Sequence, residues 1–155
     1  MEKLEIMQQV LLFKGLDETD LSRLAVIATE ERFPMGYQIF AEGTIGDSLF
    51  IVKYGTAEVL KNVHEEDEEV FRMGAGQHFG EMALINDDTR SATIKAIERT
   101  ELIRIKRQDL ERLLAQDDAL AHRVYRVIAR YLCGRLRQTT ADLAFMKEVA
   151  KRQSS

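Results

Sequence analysis

Short β-prone runs separated by glycines fill the middle of the chain, and they constrain its fold more than any other feature. Each run is too short to be stable alone, so several of them must pair with one another. Closely spaced short strands with glycine turns between them predict a β-roll, a barrel or a sandwich. The runs are Gln38–Phe40, Ser48–Val52, Ala57–Leu60, Glu69–Met73, Ser91–Ala96 and Glu101–Ile105, with glycines at 36, 43, 46, 55, 74, 76 and 80.

Helical periodicity replaces the strand pattern on both sides of this region. Near the start of the chain, apolar residues recur at helical spacing on either side of a break at Lys14–Leu16, which predicts short helices joined by a turn. Asp17 or Thr19 is a suitable N-cap for the second of them. After the β region the glycines nearly vanish, and the spacing predicts a short helix at Asp109–Leu114 and a long one at Asp118–Met146.

Length and composition fit one domain from a reducing compartment. The chain has 155 residues, a single cysteine (Cys133) and no Cys/His cluster with the spacing of a zinc site. Because we find no signal pattern and no apolar stretch of ~20 residues, we expect a cytoplasmic protein without membrane contact. We predict a single domain over residues 1–155, with N-terminal helices in 1–31, the β region in 32–105 and C-terminal helices in 107–147.

Two apolar stripes run along the predicted long helix. Leu120, Val124, Val127 and Tyr131 form the first, which we expect to pack on the β region. The second alternates spacings of three and four, and we predict a homodimer through it, with packing inside one chain as the alternative. Gly134 indicates a bend or the close approach of another group. The second stripe consists of Ala129, Leu132, Leu136, Thr139, Leu143 and Met146.

Residues 79–93 combine the groups that a sugar phosphate requires. Gly80 allows the backbone to approach a ligand closely, and a short helix starting near Glu81 would direct unpaired N–H groups at an anion. Arg90 offers a planar fork of donors to two phosphate oxygens at once. Glu81 is an acceptor-only carboxylate that suits a sugar hydroxyl. This segment therefore predicts a site for a ribose and its phosphate.

This segment resembles the phosphate-binding cassette of the cyclic-nucleotide-binding domain family, and we call residues 79–93 the cassette. The family pattern is F-G-E, an aliphatic residue, A-L, a short spacer, P-R, a small residue and A-T. The chain has Thr89 where the family has proline. Gly46–Val59 resembles the glycine-rich hairpin of the family, and Leu12–Leu16 resembles its amino-terminal helical turn. The matching cassette positions are Phe79, Gly80, Glu81, Met82, Ala83, Leu84, Arg90, Ser91, Ala92 and Thr93.

The resemblance implies a fold and a set of ligand contacts. The fold is mainly β, an antiparallel β-roll (a double-stranded β-helix or jelly roll) with N-terminal helices and a long C-terminal helix, as in catabolite activator proteins and protein kinase A regulatory subunits. Glu81 would receive the ribose 2′-hydroxyl and Arg90 the exocyclic phosphate oxygens. The other implied contacts are Gly80, Met82, Ala83, Ser91 and Ala92 at the sugar phosphate, and Val59, Val70 and Phe71 at the base. Polar candidates for covering the base are Arg137, Gln138, Thr139 and Thr140.

We predict cyclic AMP as the ligand in preference to cyclic GMP, without a further cofactor. The hydroxyl of Ser91 could serve the phosphate or could favour cyclic GMP by meeting the guanine amino group. The missing proline at 89 removes a fixed φ before Arg90, so we expect a looser loop and not a different ligand.

Other functions fit the sequence less well. Glu81 and Arg90 alone would fit a structural ion pair. The histidines at 64, 78 and 122 are isolated and no nucleophile elbow is present, so we predict neither a metal site nor an enzyme. The net charge of −4 argues against a broadly basic nucleic-acid binder. A basic stripe on the long helix is read as a solvated face with ion pairs and consists of Arg123, Arg126, Arg130 and Arg137.

Two hypotheses about function remain. Since the residues after Met146 are too few for a helix-turn-helix, we expect no direct sequence-specific DNA binding and an unidentified effector protein as the partner. The first hypothesis is a regulatory or sensor module in which the ligand repositions the C-terminal helix. The alternative is an interaction and dimerisation module in which ligand binding is vestigial.

Overall fold

The computed structural model describes residues 2–154 as four α-helices, two 3₁₀ turns and ten β-strands. The helices are α1 (Lys3–Gln9), α2 (Glu18–Ile27), α3 (Arg107–Leu114) and α4 (Asp118–Ser154), and the 3₁₀ turns cover Leu11–Phe13 and Glu81–Leu84. The strands are β1 (Thr29–Phe33), β2 (Gln38–Phe40), β3 (Ile45–Gly46), β4 (Ser48–Tyr54), β5 (Ala57–Val63), β6 (Glu66–Met73), β7 (His78–Phe79), β8 (Asp88–Thr89), β9 (Thr93–Ala96) and β10 (Thr100–Lys106).

Two four-stranded antiparallel sheets pack together and form the β-roll. The first sheet has the order β1-β10-β4-β7 and the second β2-β9-β5-β6, while β3 and β8 form a separate two-stranded ribbon. Their inner faces meet in one buried cluster, since alternate side chains of a strand point to the same face. The cluster includes Phe50, Val52 and Leu102 from the first sheet and Ala57, Val59 and Ile94 from the second. The predicted fold class, an antiparallel roll with flanking helices, is confirmed.

The first sheet is buried on both of its faces at β4 and β10. Phe50 and Leu102 point into the roll, whereas Ile51 and Ile103 point away from it, into a second core formed with the helices. All five residues from Ser48 to Val52 are buried. The continuous apolar run at the start of β4 follows from this double burial, because a strand with one solvent-facing side would alternate.

Ion pairs and caps fix the helices on the outer face of the first sheet. The carboxylate of Asp17 accepts a hydrogen bond of 2.8 Å from the amide of Asp20 and caps α2. The buried carboxylate of Asp20 in turn accepts two hydrogen bonds of 2.8 and 2.9 Å from Arg123. Arg123 belongs to the basic stripe expected to be a solvated face with ion pairs; its side chain is 47% exposed, and its ion pair with Asp20 ties α4 to α2.

Helix α4 divides into a packed half and a projecting half. Its first stripe is buried from Leu120 to Ile128, but nearly every side chain after Leu132 is exposed. Of the second stripe, Leu132 packs against the core inside the chain, whereas Leu136 and Leu143 are 67% and 56% exposed and do not. Despite the length of α4, no helix within residues 2–154 has an apolar stretch able to cross a membrane.

Several boundaries differ from the sequence-based prediction. Strand β1 begins at Thr29, so the predicted boundary between residues 31 and 32 falls inside it; its sequence TEERF has too few apolar residues to be recognised as a strand. Helix α4 continues past residue 147 to Ser154, because no glycine or proline interrupts its last turns. A Cβ on Gly134 would meet nothing within 4 Å, so the described chain makes no close approach there.

Substitution of Ile103 tests the outer face of β10. We expect Ile103→Ala to lower the free energy of unfolding by about 2–4 kcal/mol, because it opens a cavity between the sheet and the helices. The control Val26→Ala, at a side chain that is 84% exposed on α2, should change that free energy by less than about 0.5 kcal/mol. Urea denaturation measures both, and equal losses would contradict the double burial of β10.

Candidate ligand-binding site

A cavity of about 630 Å³ lies between the cassette, the β5–β6 hairpin and α4. Its volume falls within the range of about 300–1,000 Å³ that is usual for small-molecule sites. The carboxylate of Glu81 and the guanidinium of Arg90 share this cavity with apolar side chains of the hairpin, among them Val70 and Phe71. The cavity therefore suits a ligand that has both polar and apolar parts.

Two glycines clear the space in which the Arg90 guanidinium lies. Gly80 has φ of 80°, in the left-handed region, and a Cβ there would lie 2.8 Å from the carbonyl oxygen of Ser48 and overlap the guanidinium. Gly46 has no positive φ, but a Cβ on it would also overlap the guanidinium. Both positions therefore require glycine for reasons of space.

Arg90 is buried, and only part of its hydrogen-bonding capacity is used. Its side chain is 4% exposed, and Nη2 donates a hydrogen bond of 2.9 Å to the carbonyl of Ser48. Cζ lies 4.2 Å from the centre of the Phe40 ring, a cation–π contact. Nε and Nη1 are buried without a hydrogen-bond partner. A buried cation with two unused donors favours the binding of an anion.

The negative charges around Arg90 offset only part of the effect of burial on its pKa. Burial lowers the pKa of Arg90, and the negative charges of Asp88 and Asp47 act in the opposite direction. The carboxylate of Asp88 lies 3.6 Å from Nη1, close enough for an ion pair but not for a hydrogen bond. The guanidinium stays protonated, so the cavity contains a fixed positive charge.

Glu81 connects the cassette to α4 through His78 and Tyr131. Burial acts to raise the pKa of Glu81, but the interaction with His78 and the charge of Arg135 outweigh it and hold this pKa below its usual value. Nδ1 of His78 lies 3.3 Å from Oε2 of Glu81 without the alignment of a hydrogen bond. The His78 ring packs edge-on against Tyr131, with centroids 5.0 Å apart. The long helix thus contacts the residue that directly precedes the cassette, beside the cavity.

Arg107 of α3 supports the 3₁₀ turn from outside the cavity. Its Nη1 donates to the carbonyl of Ala83 at 3.2 Å, and its Nη2 donates to the carboxylate of Asp87 at 2.6 Å. Its amide donates to the carbonyl of Asp47 at 2.8 Å. One residue therefore holds the turn and the loop after it against the end of β10.

Most of the predicted site residues line the cavity, but Met82 and Ala83 do not. The side chain of Met82 is 59% exposed, whereas Ala83 is fully buried. The amide of Ala83 donates to the carbonyl of Gly80 at 3.1 Å, so the turn itself uses one of the N–H groups expected to face a ligand. The predicted residues that do line it are Gly80, Glu81, Arg90, Ser91, Ala92, Val59, Val70 and Phe71.

Four of the further cavity residues that the sequence analysis missed are Tyr131, Arg135, Lys61 and His78. The sequence analysis assigned Tyr131 to packing only. Arg135 lies one helical turn further along the same side of α4 and also lines the cavity. Lys61 follows Ala57 and Val59 at alternate positions of β5, and its Nζ donates to the carbonyl of Ser91 at 2.7 Å. His78, read as an isolated histidine, is the fourth.

Among residues 2–154, no three His, Cys, Asp or Glu side chains are placed to hold a metal ion.

The residues predicted to cover the base lie outside the cavity in this chain. The hydroxyls of Thr139 and Thr140 donate to the carbonyls of Arg135 and Leu136, each at 2.9 Å. Gln138 donates to another side chain of α4, and Arg137 is exposed. The correction follows from the course of α4, which leaves the roll after Arg135.

Comparison with known proteins supports one family. Residues 30–117 match the family model described as cyclic nucleotide-binding domain. The chain is 29% identical over 133 residues to the cyclic AMP receptor protein of Thermus thermophilus, covering 85% of this chain and 60% of that protein. It is 31% identical over 108 residues to a cAMP-dependent protein kinase regulatory subunit of Mucor circinelloides, covering 70% of this chain and 25% of that subunit. The chain thus spans three fifths or less of these two relatives.

Solved structures of similar fold have sequence identities to this chain that are comparable to those of the two relatives. The N-terminal domain of a transcriptional regulator from Streptomyces coelicolor has a TM-score of 0.77 and 25% identity, with 89% of this chain and 94% of that chain covered. A cyclic nucleotide-binding domain from Methylobacillus flagellatus has a TM-score of 0.75 and 27% identity, with 91% and 80% covered.

The lowered pKa of Glu81 gives a pH-dependent contribution to stability. A carboxyl group with a depressed folded-state pKa stabilises the fold above its unfolded pKa of about 4.3, and that contribution is lost as the pH falls through the folded-state pKa. We therefore expect the difference in unfolding free energy between the wild type and Glu81→Gln to shrink as the pH is lowered from neutral into the acid range. Urea denaturation at a series of pH values measures it.

The control is Glu148→Gln, which removes the same charge from the exposed end of α4. A difference for Glu81→Gln that stays constant with pH, or grows on acidification, would contradict the ionised and stabilised state of Glu81.

Proposed function

This chain belongs to the cyclic nucleotide-binding domain family, and we propose that it is a regulatory module that binds a cyclic nucleotide in the cavity beside the cassette. The observation that supports this most is the buried guanidinium of Arg90, which has two unpartnered nitrogens within a cavity that Glu81 also lines. A buried cation with unused donors costs stability, and an anionic ligand would complete its hydrogen bonds. We propose a binding module and not an enzyme.

Arg90 is suited to the cyclic phosphate. Two parallel hydrogen bonds to the two exocyclic oxygens would come from Nη2 together with either Nε or Nη1, since Nη2 has a second N–H besides the one that it donates to Ser48. Ser91 and Ala92 follow it along the chain and line the same cavity. The phosphate would supply the acceptors that the fold does not, and its single negative charge would neutralise the guanidinium.

Glu81 is suited to the ribose. Its low pKa keeps it ionised and acceptor-only at neutral pH, so it accepts from a hydroxyl donor. A ribose linked to a phosphate presents such a hydroxyl at the 2′ position. The contact with His78 restrains the carboxylate on the side facing α4.

The apolar residues of the β5–β6 hairpin are suited to the base. Val70 and Phe71 are 58% and 51% exposed, which is unusual for large apolar side chains beside a cavity. A purine would cover part of this surface. We propose cyclic AMP in preference to cyclic GMP, because two similar proteins are named for cyclic AMP. A cGMP-dependent protein kinase of Drosophila melanogaster, 32% identical over 112 residues, supports the alternative.

We further propose that the ligand acts on α4. Tyr131 and Arg135 of this helix line the cavity, and Tyr131 contacts His78 next to Glu81. A ligand that contacts both the cassette and these residues favours the position of α4 in which they cover it. The signal would pass in the cytoplasm to an effector protein, without sequence-specific DNA contacts by this chain.

Ligand binding is tested by calorimetry and thermal unfolding with cyclic AMP and cyclic GMP. At a ligand concentration of about 100 times Kd, the free energy of unfolding should rise by about 2.7 kcal/mol.

Gly46→Ala should weaken binding more than about a hundredfold, since it displaces Arg90 from two charge-assisted hydrogen bonds of about 1.5–3 kcal/mol each. Arg90→Lys, which keeps the charge and loses the fork, should weaken it too.

The matched control is Gly74→Ala. A Cβ on Gly74 would meet nothing within 4 Å, so this variant should bind as the wild type does. The absence of heat and of stabilisation at millimolar ligand in the folded wild type would refute the proposal.

The exposed stripe of α4 supports a second function, assembly into a homodimer through this helix. Leu136, Leu143 and Met146 are 67%, 56% and 68% exposed, with the three- and four-residue spacing of a helix–helix seam. We expect the wild type to sediment as a dimer and Leu143→Glu to sediment as a monomer. The control Met35→Glu, at an equally exposed apolar residue outside α4, should remain a dimer.

These two functions are separable by Arg90→Glu. If the chain is only an assembly module, this variant should form the same dimer and no ligand should stabilise the wild type. A wild type that sediments as a monomer at all concentrations would exclude the seam.

A further inference from the structure

Asp88 lies beside the group assigned to the phosphate. It is on β8, where pairing with β3 places it opposite Gly46, and its side chain lines the cavity. Its carboxylate is 3.6 Å from Nη1 of Arg90, one of the two nitrogens without a hydrogen-bond partner. Within residues 2–154, it is the one carboxylate that forms an ion pair with Arg90. A negative charge therefore occupies the approach to the anion-binding nitrogen.

The charge of Asp88 has opposite effects on the two states of the site. Without a ligand, it compensates a guanidinium that is only 4% exposed, so it stabilises the fold. With a phosphate on Arg90, two anions would lie a few ångströms apart, and like charges at that separation repel one another. The side chain of Asp88 is only 22% exposed, so water screens this repulsion incompletely.

Asp47 is a second aspartate near Arg90, and its position differs from that of Asp88. It is the other aspartate whose charge acts on Arg90, but its carboxylate accepts hydrogen bonds from Ser48 at 2.8 Å and Arg104 at 3.3 Å. It does not line the cavity. The two residues carry the same charge near the same guanidinium, and only Asp88 faces the ligand.

We propose that Asp88 is an affinity-setting residue that competes with the cyclic phosphate for Arg90. This inference rests on the proposed function, since it assigns a role to a neighbour of the same guanidinium. It makes the domain weaker in binding and more stable without ligand than a chain with a neutral residue at this position. One substitution should therefore change affinity and stability in opposite directions, which a purely structural residue would not do.

The test compares the wild type, Asp88→Asn and Asp47→Asn. Asparagine keeps the size of the side chain and is compatible with the backbone pairing of β8; it removes the charge and replaces one carboxylate oxygen by an NH2 group. We expect Asp88→Asn to bind cyclic AMP or cyclic GMP about tenfold more tightly, the lower end of the effect of a charge within about 4–6 Å. Its urea midpoint without ligand should be lower than that of the wild type. Asp47→Asn should leave the affinity close to that of the wild type.

The outcomes distinguish an affinity-setting role of Asp88 from a purely structural one and from failure of the proposed function. Tighter binding together with a lower midpoint supports the proposal, and Asp88→Ser provides the same comparison if the asparagine variant does not fold. An unchanged or weaker affinity in a folded Asp88 variant overturns it, even if the midpoint falls. If wild type and variants all fail to bind either nucleotide at millimolar concentration, the proposed function fails as well, whereas binding by the wild type alone refutes only the role of Asp88.

Discussion

The burial of the Arg90 guanidinium is the constraint on which the rest of the site depends. A cation in this position needs space, and the space exists because residues 46 and 80 lack a Cβ. It also needs partners, and the fold supplies the ring of Phe40, the carbonyl of Ser48 and the carboxylate of Asp88 at ion-pair distance while leaving two donors without a hydrogen bond. Since an incompletely satisfied buried charge costs stability, its retention is best explained by an anion that completes it.

The roll holds this guanidinium in place through a strand that is buried on both sides. Strand β4 pairs with β7 at Phe50 and Phe79, directly before Gly80, and its first residue, Ser48, accepts the hydrogen bond from Arg90. Because the helices cover one face of β4 and the roll interior covers the other, neither end of the cassette can shift without disturbing a core. Arg107 adds a restraint from outside.

The sequence predicted those features that depend on neighbouring residues. Short β-prone runs identified strands β4, β5, β6 and β10, the side chain at residue 17 identified a helix cap, and the local cassette pattern identified Glu81 and Arg90 as candidate site residues. Features that depend on distant residues were not predictable in this way. The two-residue strands have no periodicity of their own, and the pair Asp20–Arg123 joins residues 103 positions apart. Lys61 and Arg135 belong to the cavity only because the topology brings β5 and α4 beside the cassette.

The geometry of α4 gives a physical reason to connect ligand binding with assembly. The buried stripe of α4 shares a core with the other helices and the outer face of the first sheet, and the cavity-lining residues Tyr131 and Arg135 follow it. The exposed stripe continues from Leu136 to Met146 on the same uninterrupted helix. A helix transmits rotation over a few turns because each turn is hydrogen-bonded to the next. We therefore expect any movement of Tyr131 against His78 to reorient the exposed stripe, whereas the pair of Arg123 with Asp20 holds the start of α4 fixed. A fixed start, cavity-lining residues near the middle and an apolar surface at the far end are the features that such a movement of α4 requires.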